Sequence, residues 1–189
     1  YSVTDLETIL SDLKTNIEKP YVEGDYDWSE KGGFWDAKTG RFIQGITAEG
    51  NKLDYGYLHY NLEAISYGIG TDAQVKSIMD WIDGDRIVEG DTSTGDDIYI
   101  FEFAPRYSTV DNKKDYLWAY QKGGEGRLRF GDSVNDGGAV ITWSYHDLVA
   151  RVQERGVEDA FGRLKEINAW YDKVASYGGE GINFYREYY

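Results

Sequence analysis

Apolar residues recur at helical spacing in five stretches of the chain. In residues 4–19, Leu6, Ile9, Leu10, Leu13 and Ile17 form a stripe; Thr4 and Glu7 stand at capping-box spacing, and Pro20 closes the segment. In residues 54–69, Leu58, Leu62, Ile65 and Ile69 repeat the period until Gly68 and Gly70 stop it. A third helix starts at once: Thr71 and Gln74 have cap spacing, Val75, Ile78, Met79 and Ile82 point inward, and Gly84 sits at the terminal position. So short a connection predicts an antiparallel helix hairpin. A second hairpin is predicted over residues 138–154, with Val140, Ile141, Tyr145, Leu148, Val149 and Val152 inward, and residues 158–176, with Phe161, Leu164, Ile167, Tyr171 and Val174 inward.

The connecting segments follow other rules. Residues 34–43 place apolar ends around a turn at Gly40, the pattern of a short β-hairpin, and residues 45–51 repeat the turn chemistry. This region is expected to cross the surface between helices without forming a sheet of its own. Residues 85–122 lack a helical period; residues 98–103 read as a strand closed by Pro105. A long aperiodic segment inside a helical domain is more often functional than idle. The expected fold class is mainly α, built of antiparallel helix hairpins with short β-hairpins in long loops. Residues 1–189 read as a single domain.

Charge narrows the partners. The chain carries 34 acidic and 20 basic side chains, a formal net charge of −14, and no basic cluster offsets it. That field repels phosphate backbones, so nucleic acid and anionic membranes are not expected partners. No apolar run approaches a membrane span, which predicts a soluble protein. The sequence opens on Tyr1, not Met, and export is left open. Absence of cysteine removes disulfides, thiolate metal sites and Cys nucleophiles. The compositional excess is aromatic, with 17 Tyr, 6 Trp and 7 Phe. Ring faces with polar tips suit surfaces that are apolar on one side and wet on the other, which is the character of a sugar. At least half of these rings are expected to fill the core.

The most concentrated chemistry lies in Phe130-Gly131-Asp132-Ser133-Val134-Asn135-Asp136-Gly137-Gly138-Ala139, immediately before the fourth helix. Glycines allow close backbone approach to a ligand. Asp136 falls near the first helical turn, where free N–H groups and the helix dipole favour a carboxylate. Two readings stay open for it: an N-cap on a tight loop, or an acid in a site.

Helix hairpins separated by long loops rich in Trp, Tyr and acids resemble the six-hairpin glycosidases, whose (α/α)6 toroid gathers its sugar site at the loop end. The strings that carry the resemblance are Gly33-Phe34-Trp35, Asp54-Tyr55-Gly56-Tyr57 with Tyr60-Asn61-Leu62-Glu63-Ala64, Asp80-Trp81-Ile82-Asp83-Gly84, and Glu89-Gly90-Asp91-Thr92-Ser93-Thr94-Gly95. The 130–139 motif is similar to the Gly-Asp-Trp-Asn-Asp-Gly segment of cellobiose-phosphorylase-like enzymes, with Ser133-Val134 in place of the single Trp. By position, the resemblance implies that Asp136 donates the proton to the glycosidic oxygen. About five helices are counted where a toroid needs twelve. The chain therefore reads as a portion of a larger catalytic domain whose remaining segments come from the same or another chain.

Glycoside cleavage needs a second carboxylate opposite the acid. Glu102, on the 98–103 strand, is the candidate. Asp132, Glu89 and Asp91 are candidate sugar contacts, with solvated loop acids as the alternative for the last two. Trp35, Tyr55 and Tyr57 are candidate stacking rings; Trp81 is assigned to the core, as are Trp143 and Tyr145. Asn61 would bond a sugar hydroxyl or cap local backbone. Only Arg86 and Arg106 form a plausible phosphate pair, which favours hydrolysis over phosphorolysis. His59 and His146 cannot build a three-His zinc site. Asp83, Asp85, Asp91, Ser93, Asp96 and Asp97 could supply oxygens to a structural calcium, but none reproduces an EF-hand loop. No cofactor is expected. The expected substrate is an oligosaccharide or polysaccharide, and a non-catalytic sugar-binding or assembly module is the competing class.

Overall fold

The computed structural model describes residues 1–24, 32–98, 108–110 and 144–176, with side chains described as far as residue 169. The 130–139 motif with Asp132 and Asp136, Glu102 and most of its strand, Arg106 and Trp143 lie outside the described residues. Those that are described are mainly helical, with five helices and two small antiparallel hairpins.

Helix α1 spans Val3–Glu18 and starts earlier than the Thr4–Glu7 spacing suggested. Ser2 and Asp5 form the capping box instead: Ser2 N–H donates to Asp5 Oδ2 at 2.7 Å, and Asp5 N–H to Ser2 Oγ at 3.1 Å. Its apolar stripe is not buried. Val3, Leu6, Ile9, Leu10 and Leu13 are all exposed, and only Ile17 reaches the core. The last turn is what holds α1. The Ile17 carbonyl accepts from Phe34 N–H, that of the cap residue Lys19 from Trp35 N–H, and the Glu18 side chain from Gly70 N–H.

Strands β1 (Trp35–Asp36) and β2 (Arg41–Phe42) pair antiparallel in the register Trp35↔Phe42, as the turn at Gly40 suggested. Strands β3 (Gly45–Ile46) and β4 (Lys52–Leu53) form a second hairpin. Each sheet has only two strands, so residues 34–53 form short hairpins and no larger sheet, in line with expectation. Asp36 makes the first turn self-consistent, accepting from Lys38 N–H and Thr39 Oγ1 and pairing with Lys52.

Helix α2 covers Leu58–Ser66, four residues shorter at its start than the periodicity implied. Gly56 lies at φ +60°, a left-handed conformation that interrupts a helix, and Asp54 is drawn away by Arg41. The exit is a Schellman motif: Gly68 N–H donates to Ile65 O and Ile69 N–H to Ala64 O. Helix α3 spans Asp72–Ile82 with both bonds of the expected Thr71–Gln74 box. Leu58, Leu62 and Ile65 of α2 meet Val75, Ile78, Met79, Trp81 and Ile82 of α3 in one core, joined by Phe42, Val88, Ile98 and Ala150.

Helices α4 (Ser144–Glu154) and α5 (Val157–Ser176) keep the predicted bounds where described, but not the predicted facing. Tyr145, Val152, Phe161 and Leu164 are exposed, whereas Ser144, Asp147, Ala150, Arg151, Ala160 and Arg163 are buried. An ion-pair network overrides the apolar stripe. Arg151 pairs with Asp147 on α4, with Asp83 at 2.6 Å and with Asp159 at 2.8 Å. Arg163 reaches Asp97 at 2.6 Å and Asp147 at 3.3 Å, and Arg155 reaches Asp80 and Asp83. Burial alone would lower the Arg151 pKa, but Asp147 and Asp83 outweigh it and raise it above the ordinary arginine value.

Candidate functional site

Arg41 is the point on which the loops converge. Strand β2 carries its side chain inward, leaving it 1% exposed. Nε and Nη2 donate to Asp54 at 3.1 Å each, and Nη1 donates to Asp91 Oδ2 at 2.6 Å. The guanidinium also stands 4.6 Å from the Trp81 ring centroid, a cation–π contact. A buried arginine this completely matched is held by the donors' fork geometry as well as by charge.

Asp91 is the counterpart of Arg41 and is saturated by the protein. Oδ1 accepts from Ser93 N–H at 2.6 Å and from the Ser93 hydroxyl. Oδ2 accepts from Arg41, from Trp81 Nε1 at 3.2 Å and from Thr109 Oγ1 at 3.0 Å. Burial pushes its pKa up, but the Ser93 bonds and Arg41 outweigh this and hold the carboxyl below the ordinary range. Asp54 is used in the same way, since Oδ1 also accepts from Gly56 N–H at 3.0 Å. Thr109 completes the node: its N–H donates to Tyr55 O and Gly56 O, and its carbonyl accepts from Thr92. Both carboxylates are thus engaged by donors of the protein itself.

The other expected sugar contacts divide by exposure. Asn61 is fully buried; its Oδ1 accepts from Phe42 N–H at 2.8 Å, and its Nδ2 donates to Phe42 O and Tyr57 O. Of the two roles open to it, the structure shows the backbone cap. Tyr55 and Tyr57 are buried, with ring centroids 5.5 Å apart, and Tyr57 also packs against His59 and Tyr60. Trp35 is half-buried and meets Phe42 edge-on at 5.3 Å. Trp81 is in the core, as expected. Of the two described carboxylates expected to contact sugar, Glu89 is exposed, on a turn closed by Asp91 N–H to Val88 O with Gly90 at φ +90°. Asp91 and Glu89 are therefore near neighbours with opposite roles, one locked inside and one displayed.

Arg86, expected as half of a phosphate pair, donates to the carbonyls of Thr39, Gly40 and Ser77. Three of the carboxylates considered for calcium go to arginines: Asp83 to Arg151, Asp91 to Arg41 and Asp97 to Arg163. Among the described residues no group of three or more metal-ligating side chains assembles, and no helix is long and apolar enough to cross a membrane. His146 Nδ1 bonds Ser66 Oγ at 2.7 Å and links α4 to α2.

A separate groove of about 310 Å³ opens between the end of α1, the first hairpin and α2. Ile17, Phe34, Ile43 and Ala64 make it apolar, and Tyr60 and Glu63 add polar groups. Reasoning from sequence missed both this groove and the Arg41 node. Arg41 had a signal, a cation directly after the turn glycine and before the apolar pair Phe42-Ile43 in an acidic chain. Its partners lie 13, 50 and 68 residues away, and spacing alone does not reveal them.

No family model matches the chain, and neither the curated proteins nor the solved structures contain a match to it.

Proposed function

We propose that the chain is part of a carbohydrate-active domain of the (α/α)6 toroid type, hydrolysing glycosidic bonds with Asp136 as general acid and Glu102 as the second carboxylate. The observation that supports this reading is the convergence on Arg41. Three of the strings that carry the glycosidase resemblance, through Asp54, Trp81 and Asp91, meet at one buried guanidinium. Loops tied at a common point present their tips together, which is what a loop-end sugar site requires. In this reading Glu89 and Asp132 face the saccharide and Trp35 flanks it. Asp91, Asn61, Tyr55 and Tyr57 brace the wall behind. The remaining toroid helices come from the same or another chain, and no cofactor takes part.

The test is hydrolysis of a panel of aryl glycosides and oligosaccharides by the complete protein and its Asp136→Asn and Glu102→Gln variants. Loss of at least about a hundredfold in each is expected for groups that transfer protons or attack in the transition state. Full activity in Asp136→Asn removes the assignment. The competing reading, an assembly or sugar-binding module without chemistry, is favoured by the exposed apolar faces of α1, α4 and α5. It predicts an inactive complete protein.

A further inference from the structure

Among the described residues, every buried or half-buried carboxylate but one has a partner inside the protein. Asp54 and Asp91 hold Arg41, and Asp36 holds Lys52. Asp80, Asp83 and Asp147 pair with Arg151 or Arg155, and Glu18 accepts from Gly70 N–H. The exception is Glu63. Its carbonyl accepts from Tyr67 N–H and Ser66 Oγ, but its carboxylate accepts from no described group. Lys14 Nζ, beside Gly68 past the end of α2, forms no ion pair with it.

Glu63 lines the groove of about 310 Å³, a volume at the lower end of the range for ligand pockets. Tyr60, Glu63, Ala64 and Tyr67 follow at i, i+3, i+4 and i+7, one face of α2 and its cap. Ala64 is the smallest of the four and leaves depth between the two tyrosines. Tyr60 is 43% exposed and Tyr67 64%, so neither ring is consumed by the core. The other walls are apolar, with Ile17, Phe34 and Ile43 among them.

These walls select the chemistry of an occupant. An anion is repelled by Glu63 and by the net charge of −14, which instead concentrates cations at the surface. A neutral apolar molecule would cover Glu63 and leave its carboxylate without water or partner. A sugar would bring more hydroxyls than Glu63, Gln44 and two phenols can match, and each unmatched one costs about 1–3 kcal/mol. A divalent metal needs six or more oxygens, and the groove has one carboxylate. What remains is a cation with an apolar body, which suits ring faces as well as a carboxylate.

We propose that the groove binds a compact organic ammonium, its apolar body against Ile17, Phe34 and Ile43 and its charge between Glu63 and the rings of Tyr60 and Tyr67. The proposal goes beyond the carbohydrate reading and does not depend on it, since its test contains no sugar and cleaves no bond.

The test is nuclear magnetic resonance titration of the full chain with phenethylammonium, 2-phenylethanol and 3-phenylpropionate. The three share a ring and a two-carbon arm and differ in charge. The ammonium should bind with a Kd on the order of 0.1–1 mM and shift the amides of Ile43, Glu63, Ala64 and Tyr67. The alcohol should bind at least about tenfold more weakly and the carboxylate not at all. Glu63→Gln removes a charge that no described contact uses, so far-ultraviolet circular dichroism should not change while affinity falls at least about tenfold. Tyr60→Leu and Tyr67→Leu should each cost about threefold, the share of a cation–π contact. Ala64→Leu fills the groove and should abolish binding. No shift at these amides up to about 10 mM ammonium overturns the proposal, as does equal affinity for the alcohol, a comparison that needs no variant. Binding that survives Glu63→Gln or Ala64→Leu overturns it too.

Discussion

Arg41 and Asp91, fifty residues apart in the chain, meet at 2.6 Å with both side chains 1% exposed. Taking two charges out of water is costly, and what offsets the cost is complete pairing. Arg41 has Asp54 as a second anion, and Asp91 has Ser93, Trp81 and Thr109 as further donors.

Arg41→Met should therefore destabilise the fold by about 3–5 kcal/mol, because it leaves Asp91 and Asp54 buried without their cation. Urea denaturation gives the value. A loss below about 1 kcal/mol would show that the node is as weak as an exposed pair.

Acid should expose the same node. The folded-state pKa values of Asp91 and Asp36 lie below their ordinary value of 3.8, so both carboxylates stabilise the fold fully only above that value. At Asp36 burial acts upward, and the bonds from Lys52 and Lys38 N–H outweigh it. Their contribution is lost as pH falls through the folded values, since the unfolded chain binds protons first. Urea midpoints measured downward from pH 6 should fall less steeply in Asp91→Asn than in the parent chain. Parallel slopes would count against the assignment.

Asn61→Ala should cost about 2–3 kcal/mol, since it leaves the buried Phe42 N–H without an acceptor and opens a small void beside β2. Thermal denaturation followed by circular dichroism checks this. A near-neutral substitution would mean that the bond contributes little.

Gly56→Ala combines two penalties. The residue lies at φ +60°, and an added Cβ would stand 2.0 Å from Thr109 Oγ1. Left-handed backbone costs an alanine about 1 kcal/mol, and moving Thr109 loosens its bond to Asp91. A total above about 2 kcal/mol is expected by urea denaturation. Gly90→Ala, also at positive φ but with open space around it, should cost only the backbone share.

Much of the local structure was legible along the chain. Thr71 and Gln74 declared the start of α3, Gly68 the end of α2, and Gly40 the first hairpin, because caps and turns satisfy backbone groups within a few residues. The inward faces of α2 and α3 followed from period for the same reason. Facing failed on α4 and α5. Their stripes were read by hydropathy, but Asp83 and Asp97 come from distant loops to pair with Arg151 and Arg163, which turns the charged side inward.

The sequence by itself determined the mainly helical class, the bounds of most elements and the acidic, cysteine-free surface chemistry, all of which depend on short-range pattern or on composition. Only the tertiary structure decided which polar residues are consumed inside. Asp91 is sealed beneath Arg41 while Glu89, two residues earlier, stands in solvent. Likewise, the stripe of α1 is open while those of α2 and α3 are closed. Burial of a charge or of a seam is settled by what the rest of the chain brings against it, and that is a property of long-range packing.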